Sequence, residues 1–243
     1  MKLSKNEAAQ LRNIVNTAVM GGIETLVFQA KSIGVASGMR QGSCAIIARK
    51  DVPQLEQKMC ITRLSTFRRR LDLLADSESF EINTKESERG EITQVDISAG
   101  KAKTNYRCTS SALVKVPANV NDGGVIGLVT MTKEELALVI NGIKTMSAPR
   151  VMLIIKADGQ IVFESSDEND RFTVELEASM VAADDEASKQ SSVFYYDSKV
   201  FESLLKASIG SASTIAFTVG IGGTIQFELN NCEMSIFAQI DGE

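Results

Sequence analysis

Apolar residues recur every three or four positions in four stretches of the chain, which is the spacing of amphipathic helices. These stretches begin near residues 4, 62, 132 and 197. Two of the starts carry a capping box, in which Ser4 precedes Glu7 and Thr132 precedes Glu135 by three positions. Asp197 is the predicted N-cap of the fourth helix. The pattern therefore predicts four helices with defined N-termini.

Between these helices the apolar period changes to two, as expected for half-buried strands. The segments "RFTVELE", "TIQFEL" and "MSIFAQI" alternate in this way. Asp158-Gly159 predicts a tight hairpin, and Gly220–Gly223 and Asn230–Asn231 predict two further turns. The chain thus has a helix followed by three or four strands, four times over, at intervals of about 60–70 residues. Such regular spacing indicates one structural unit used four times.

The stretch from Val114 to Met131 divides the chain into halves of two units each. It contains Pro117 and the turn-forming sequence "NVNDGG". We predict an α+β protein with an N-terminal domain at 1–116, a linker at 117–131 and a C-terminal domain at 132–243. The alternative is a single irregular α+β domain.

The composition of the chain excludes several classes of function. The chain has 243 residues, 44% of them hydrophobic, with no apolar run of membrane-spanning length and no apolar leader. Its four cysteines are scattered, which favours reduced thiols in a cytoplasm. The absence of histidine excludes histidine-based catalysis and histidine-ligated zinc, and no phosphate-binding loop occurs. We interpret "GIGG" at 220–223 as a turn and Asp184–Asp185 as part of a solvated loop, and predict no enzyme activity, cofactor or metal.

The predicted outer faces of the helices are basic and polar. Arg69 lies opposite the apolar stripe of the second helix, with Arg68 and Arg70 on its flanks. The other predicted outward cations are Lys2, Lys5, Lys144, Lys199 and Lys206. Acidic residues concentrate instead at 167–189, and the whole chain has a formal net charge of −5. A basic surface on an acidic protein would contact phosphates without reading sequence, although surface helices commonly carry lysine without any such role.

This combination resembles the DNA sliding clamps, and within them most closely the trimeric clamp of T-even-type bacteriophages. The resemblance includes the opening "MKLSK" before a helix, the order "CITRLSTFRRRLDLLADSESFEI" and the ending "STIAFTVGIGGTIQFELNNCEMSIFAQIDGE". It extends over the full length, but it consists of architecture and scattered residues, since clamps have no compact motif. The chain is longer than the T-even clamps around 97–118 and 182–192.

The resemblance implies two similar clamp domains, each of two helix-plus-strands units, that assemble into a closed homotrimeric ring with helices inside and sheets outside. Double-stranded DNA would pass through the hole without sequence specificity, and the ring would tether the replicative DNA polymerase after a clamp loader has placed it. The implied DNA-facing residues are Lys2, Lys5, Arg12, Arg68, Arg69, Arg70, Lys144, Lys199 and Lys206.

The resemblance also implies a groove for partner peptides between the linker and the C-terminal strand. Its residues would be Val125, Ile126, Leu128, Phe237, Ala238 and Ile240, with Met39 added from a loop; Ile240 is equally expected as ordinary core. The subunit interface would use the edge strands at 105–114 and 171–177, through Tyr106, Cys108, Ala112, Phe172, Val174 and Leu176.

Two other functions compete with the clamp. One is a phage structural or assembly protein of repeated β-rich domains. The other is a nucleotide-modifying enzyme, which the missing histidine and phosphate loop disfavour.

Overall fold

The computed structural model describes residues 2–29, 36–40, 43–50, 52–74, 80–116, 120, 124–167, 169–176, 191–209 and 214–239. Ile240 lies outside the described residues, as does 177–190, which holds Asp184–Asp185 and most of the acidic segment. For Lys2, Leu74 and Ile209 only the backbone is described.

The chain forms two compact units. Unit 1 comprises Met1–Arg40, Ala45–Asn119 and Asn230–Glu233, and unit 2 comprises Gln41–Cys44, Val120–Leu229 and Met234–Glu243. The change of unit between Asn119 and Val120 falls inside the predicted linker. The domain bounds 1–116 and 132–243 stay a prediction.

Unit 1 pairs two helices with a mixed sheet. Its helices are α1 (Lys5–Met20) and α2 (Leu64–Leu74). Its strands are β1 (Lys2–Leu3), β2 (Leu26–Phe28), β3 (Ala36–Arg40), β4 (Cys44–Ala48), β5 (Lys58–Ile61), β6 (Phe80–Glu86), β7 (Glu91–Ala99) and β8 (Ala102–Arg107). The strand order is β1-β6-β7-β5-β2-β3-β4, and β8 pairs with β7. A 3₁₀ turn, Ser111–Leu113, follows β8.

Unit 2 repeats the same sequence of elements. Its helices are α3 (Lys133–Met146) and α4 (Ser198–Ile209). Its strands are β9 (Val125–Thr132), β10 (Arg150–Ile155), β11 (Ile161–Ser166), β12 (Arg171–Leu176), β13 (Ser192–Asp197), β14 (Thr214–Gly220), β15 (Ile225–Leu229) and β16 (Cys232–Ile236). The strands order as β12-β11-β10-β13 and as β16-β15-β14-β9. A strand, a helix and three strands thus occur four times along the chain, which confirms the predicted repeat.

Local sequence explains where the elements start and turn. Both predicted capping boxes form. The side-chain oxygens of Ser4 and Thr132 accept from the backbone N–H three residues later, and the backbone N–H of each cap residue donates to the carboxylate of Glu7 or Glu135. Asp197 Oδ1 accepts from the backbone of Lys199 and Val200, as expected of an N-cap. Asn230 and Asn231 have φ of 52° and 62°, the backbone of a two-residue hairpin turn.

The apolar stripes of the helices pack on the strands. In unit 1 Leu11, Phe67 and Leu71 are fully buried, and the Phe67 ring meets Tyr106 of β8 edge-on at 4.9 Å between centroids. In unit 2 the ring centroids of Phe163 in β11 and Phe201 in α4 are 5.3 Å apart. Because these stripes face the sheets, the opposite faces of the helices remain accessible to solvent.

Four local assignments made from sequence are wrong. Lys2 lies in β1, before the Ser4 cap, and pairs with Asn83 instead of belonging to a helix face. Met39 lies in β3, not on a loop. Residues 125–131 of the predicted linker form β9, because their backbone pairs with β14. Residues 111–113 form a 3₁₀ turn instead of continuing a strand, because the Glu91 carboxylate accepts from the backbone and hydroxyl of Ser111.

No helix within the described ranges is both long enough and apolar enough to cross a bilayer.

Candidate nucleic-acid interface

The exposed faces of α1 and α2 carry most of the cations that the sequence placed on helices. Lys5 and Arg69 are exposed, and Arg12, Arg68 and Arg70 are half-buried. The two helices pack side by side in unit 1, so these five cations share one surface, which we call the α1–α2 surface. Its side chains do not have equivalent surroundings.

Arg69 is the arginine without a partner on this surface. Within the described part of the chain it makes no hydrogen bond or ion pair, and its side chain is exposed. It lies opposite the buried Phe67 and Leu71, as the 100° spacing predicts. Its guanidinium is therefore available to an external anion.

Arg68 and Arg12 share one carboxylate. Arg12 Nε of α1 lies 2.9 Å from Asp72 Oδ1, and Arg68 Nε lies 3.3 Å from Asp72 Oδ2. Asp72 follows Arg68 by one helical turn, so the second pair is an i,i+4 contact within α2. Sequence reasoning did not single out Asp72, although this spacing alone could have identified it.

Arg70 is tied to the sheet. Its guanidinium donates to the carbonyl of Asn105 in β8 and lies 5.4 Å from the centre of the Tyr106 ring. Arg63 approaches the same ring at 5.9 Å. Because the ring and the carbonyl both hold Arg70, it links α2 to β8. The three adjacent arginines of α2 therefore have three different environments.

The helices of unit 2 are less basic on their exposed faces. Lys144 of α3 and Lys199 and Lys206 of α4 are exposed, as predicted. Lys206 is paired with Glu202 one turn earlier. The α3 face also exposes Glu134 and the apolar Leu138.

The residues predicted to receive a partner peptide differ in accessibility. In unit 2, Val125 is 46% and Leu128 37% exposed, while Ile126 is buried. Phe237 and Ala238 are half-buried. Met39, in unit 1, is 38% exposed.

Sequence reasoning missed Ile221, which is 46% exposed at the tip of the turn after β14. Its backbone N–H donates to the carbonyl of Gly124, next to Val125. An isoleucine inside a glycine-rich turn was the available indication, because such turns favour small or polar residues.

The two segments predicted to close a ring include edge strands. Among the described strands, β8 pairs only with β7 and β12 only with β11. Tyr106 is buried inside unit 1, and Val174 and Leu176 are buried inside unit 2. Phe172 packs on α3, where a Cβ built on Gly142 would overlap its ring. Cys108 is half-buried beyond β8 and Ala112 lies in the 3₁₀ turn, so pairing along these edges would use mainly the backbone.

The ionisable groups with shifted pKa values lie away from the helix surfaces. Burial raises the pKa of Cys60 to about 11 and that of Cys108 to about 12, which keeps both as thiols at neutral pH. Hydrogen bonds from Ser111 and Ser110 lower the pKa of Glu91. No group of three or more cysteine or acidic side chains in the described ranges is placed to hold a metal ion.

No protein-family model matches the chain. No curated protein sequence matches it either.

Solved structures match it over almost its entire length. A protein of Eubacterium rectale assigned as a DNA polymerase III β subunit aligns with a TM-score of 0.68 and 17% identity, covering 100% of this chain and 64% of that one. The proliferating cellular nuclear antigen of Entamoeba histolytica aligns with a TM-score of 0.67 and 11% identity, covering 98% of this chain and 96% of that one. The DNA polymerase III β subunit of Pseudomonas aeruginosa aligns with a TM-score of 0.69 and 10% identity, covering 99% of this chain and 66% of that one.

The chain therefore has the sliding-clamp fold, which confirms the predicted fold at that level. It spans about two thirds of the bacterial β subunits, 64% and 66%, and nearly all of the Entamoeba protein. The specific likeness to phage clamps stays a prediction.

Proposed function

We propose that the chain is a DNA sliding clamp, a non-enzymatic ring that encircles duplex DNA and tethers a replicative polymerase. The observation that carries the proposal is the basic α1–α2 surface on a fold shared with clamps of bacteria and a eukaryote. An acidic protein would not ordinarily approach DNA, and a localised basic surface removes that obstacle.

The contact with DNA would be weak and independent of sequence. Lysine and arginine reach phosphates through long side chains, and such contacts carry no base information. Arg69 would make the most direct contact, since it is exposed and has no described partner. Lys5, Lys144, Lys199 and Lys206 would add weaker contacts, and a closed ring would retain DNA by topology.

The ring would contain three chains. Two compact units per chain and the resemblance to the trimeric phage clamps support a trimer of six units. Edge strands β8 and β12 belong to different units, so head-to-tail pairing of one chain's β8 with the next chain's β12 would close the ring. Native mass spectrometry tests this, and a dimer, or a monomer alone at micromolar concentration, contradicts it.

The polymerase and a clamp loader would dock through short peptides on unit 2. Exposed Val125, Leu128 and Ile221 provide apolar surface there. Phe237, Ala238 and Ile240 complete the set that the clamp resemblance implies on unit 2, and Met39, which the resemblance also names, belongs to unit 1. A phage origin and action in a host cytoplasm belong to the same proposal.

The decisive experiment is loading on circular DNA. Purified protein with a clamp loader should accumulate on nicked circular DNA and dissociate when a restriction enzyme linearises the circle. Retention on the linear product would contradict a sliding ring. Failure to associate with either form under a range of salt concentrations would favour the alternative of a structural or assembly protein.

A further inference from the structure

Asp72 pairs with one arginine from each helix of the α1–α2 surface. Its two oxygens lie 2.9 Å from Arg12 Nε and 3.3 Å from Arg68 Nε. The three side chains are 35%, 40% and 39% exposed, respectively, so the carboxylate and both guanidiniums reach solvent together. Carboxylate and phosphate present similar oxygen geometry to an arginine fork. Asp72 thus occupies the position that DNA would use on two of the five cations.

Stability alone is a weak explanation for this arrangement. Ion pairs as accessible as these contribute little to folding. The two helices already pack side by side, and each of them buries apolar side chains, such as Leu11 of α1 and Phe67 of α2. Asp72 is also the one carboxylate within α2, while Glu7, the one within α1, is committed to the capping box at Ser4.

We propose that Asp72 is a built-in competitor of DNA phosphates, which holds Arg12 and Arg68 in place and weakens the grip of the α1–α2 surface on the duplex. The inference rests on the proposed clamp function. A phosphate that approaches either arginine meets a carboxylate at short range, and the like charges repel. The contact is therefore short-lived, which favours sliding over holding.

The test compares Asp72→Asn with Glu233→Gln in the full chain. Asparagine keeps the size of the side chain and one acceptor oxygen but removes the charge. Glu233 pairs with Arg49 at 3.3 Å and lies outside the helices. Glu233→Gln therefore removes the same negative charge as Asp72→Asn, but away from the α1–α2 surface. Binding of a fluorescent duplex is measured at low and moderate salt, together with diffusion on end-blocked DNA and a melting curve.

We expect Asp72→Asn to bind about threefold or more tightly at moderate salt, with a log–log salt slope steeper by about one for each additional phosphate that the arginines neutralise. Diffusion should slow, while the melting temperature should stay within about 2 °C because accessible pairs add little stability. Glu233→Gln should bind like the wild type.

The failures are distinguishable. If the wild type binds duplex and Arg69→Ala weakens it, but Asp72→Asn binds no more tightly, the competitor role is wrong and the clamp proposal stands. An equal increase in affinity with Glu233→Gln would show a general charge effect and overturn the inference. If neither the wild type nor any variant binds the duplex, the role proposed for Asp72 is wrong, whereas the clamp proposal is decided separately by retention on circular DNA.

Discussion

Single replacements of Arg69 and Arg70 should separate DNA binding from stability on one helix. Both residues lie in α2 and carry the same charge, but Arg69 has no described partner while Arg70 is held by Asn105 and Tyr106 of β8. Each replacement by alanine removes one positive charge per chain, so each variant is a charge-matched control for the other. Differences between the two variants must come from their contacts.

The structure sets different magnitudes for the two changes. Arg69→Ala should alter the free energy of unfolding by less than about 0.5 kcal/mol, since alanine is the better helix former and surface changes are usually small. Arg70→Ala removes a charged hydrogen bond and a cation–π contact, both partly solvated, which we put at about 1–2 kcal/mol. For a chain of this size that corresponds to about 2–8 °C in melting temperature.

DNA binding should show the reverse order. Arg69→Ala should reduce the log–log salt slope of duplex binding by about 0.9 for every phosphate that is no longer neutralised. Arg70→Ala should reduce it less, because its guanidinium is already engaged with the sheet. The assays are a thermal melt and duplex titrations over a series of salt concentrations. A fall in melting temperature for Arg69→Ala as large as that for Arg70→Ala would refute the reasoning, as would a larger decrease in salt slope for Arg70→Ala.

Three further changes test other parts of the molecule. Leu128→Glu should leave the melting temperature within about 2 °C, because Leu128 is 37% exposed, yet abolish binding of polymerase peptides in a fluorescence assay. The control is Val193→Glu in β13, where Val193 is 46% exposed, and it should leave peptide binding unchanged. Unfolding of Leu128→Glu would show that Leu128 is core. Tyr106→Phe should keep stability or raise it by about 1 kcal/mol in a urea titration, since the Tyr106 hydroxyl is buried without a hydrogen-bond partner in the described structure; a decrease above about 1 kcal/mol would contradict this. Hydrogen bonds from Ser111 and Ser110 lower the pKa of Glu91 in the folded state. The ionised Glu91 should therefore stabilise the fold above its ordinary pKa of 4.5, and this stabilisation should disappear as pH falls through the lowered pKa. Melts of wild type and Glu91→Gln should therefore converge as the solution becomes more acidic, and a constant difference would show that the charge is irrelevant.

The fold could be predicted from sequence because its determinants are local. Capping at Ser4 and Thr132, the Asp197 N-cap and the turn at Asn230–Asn231 each depend on a few adjacent residues and form as predicted. Strand β9 could not be recognised, because its pairing partner β14 lies about 90 residues later in the chain. The preceding Pro117 and the turn-forming sequence "NVNDGG" made residues 125–131 resemble part of a linker.

Only those features of the candidate site that follow from the geometry of a single helix could be predicted from sequence. The 100° rule correctly placed Arg69 outward, and it grouped Arg68 and Arg70 with it. It could not show that Arg12 of another helix shares Asp72 with Arg68, or that Arg70 reaches β8. Those contacts depend on tertiary packing, and they decide which arginine is free.

Unequal charge on the two helix pairs explains how a weak hold on DNA would arise. Helices α1 and α2 carry five cationic side chains against two carboxylates, whereas α3 and α4 carry four against three. Within the richer pair, Arg12 and Arg68 are shared with Asp72 and Arg70 with β8, so Arg69 and Lys5 remain. Affinity for DNA grows with the number of phosphates neutralised, because each one releases its own counterions. A few free cations per chain, repeated around a proposed ring, would thus bind phosphates weakly and exchange them rapidly, and the ring itself would keep the DNA inside.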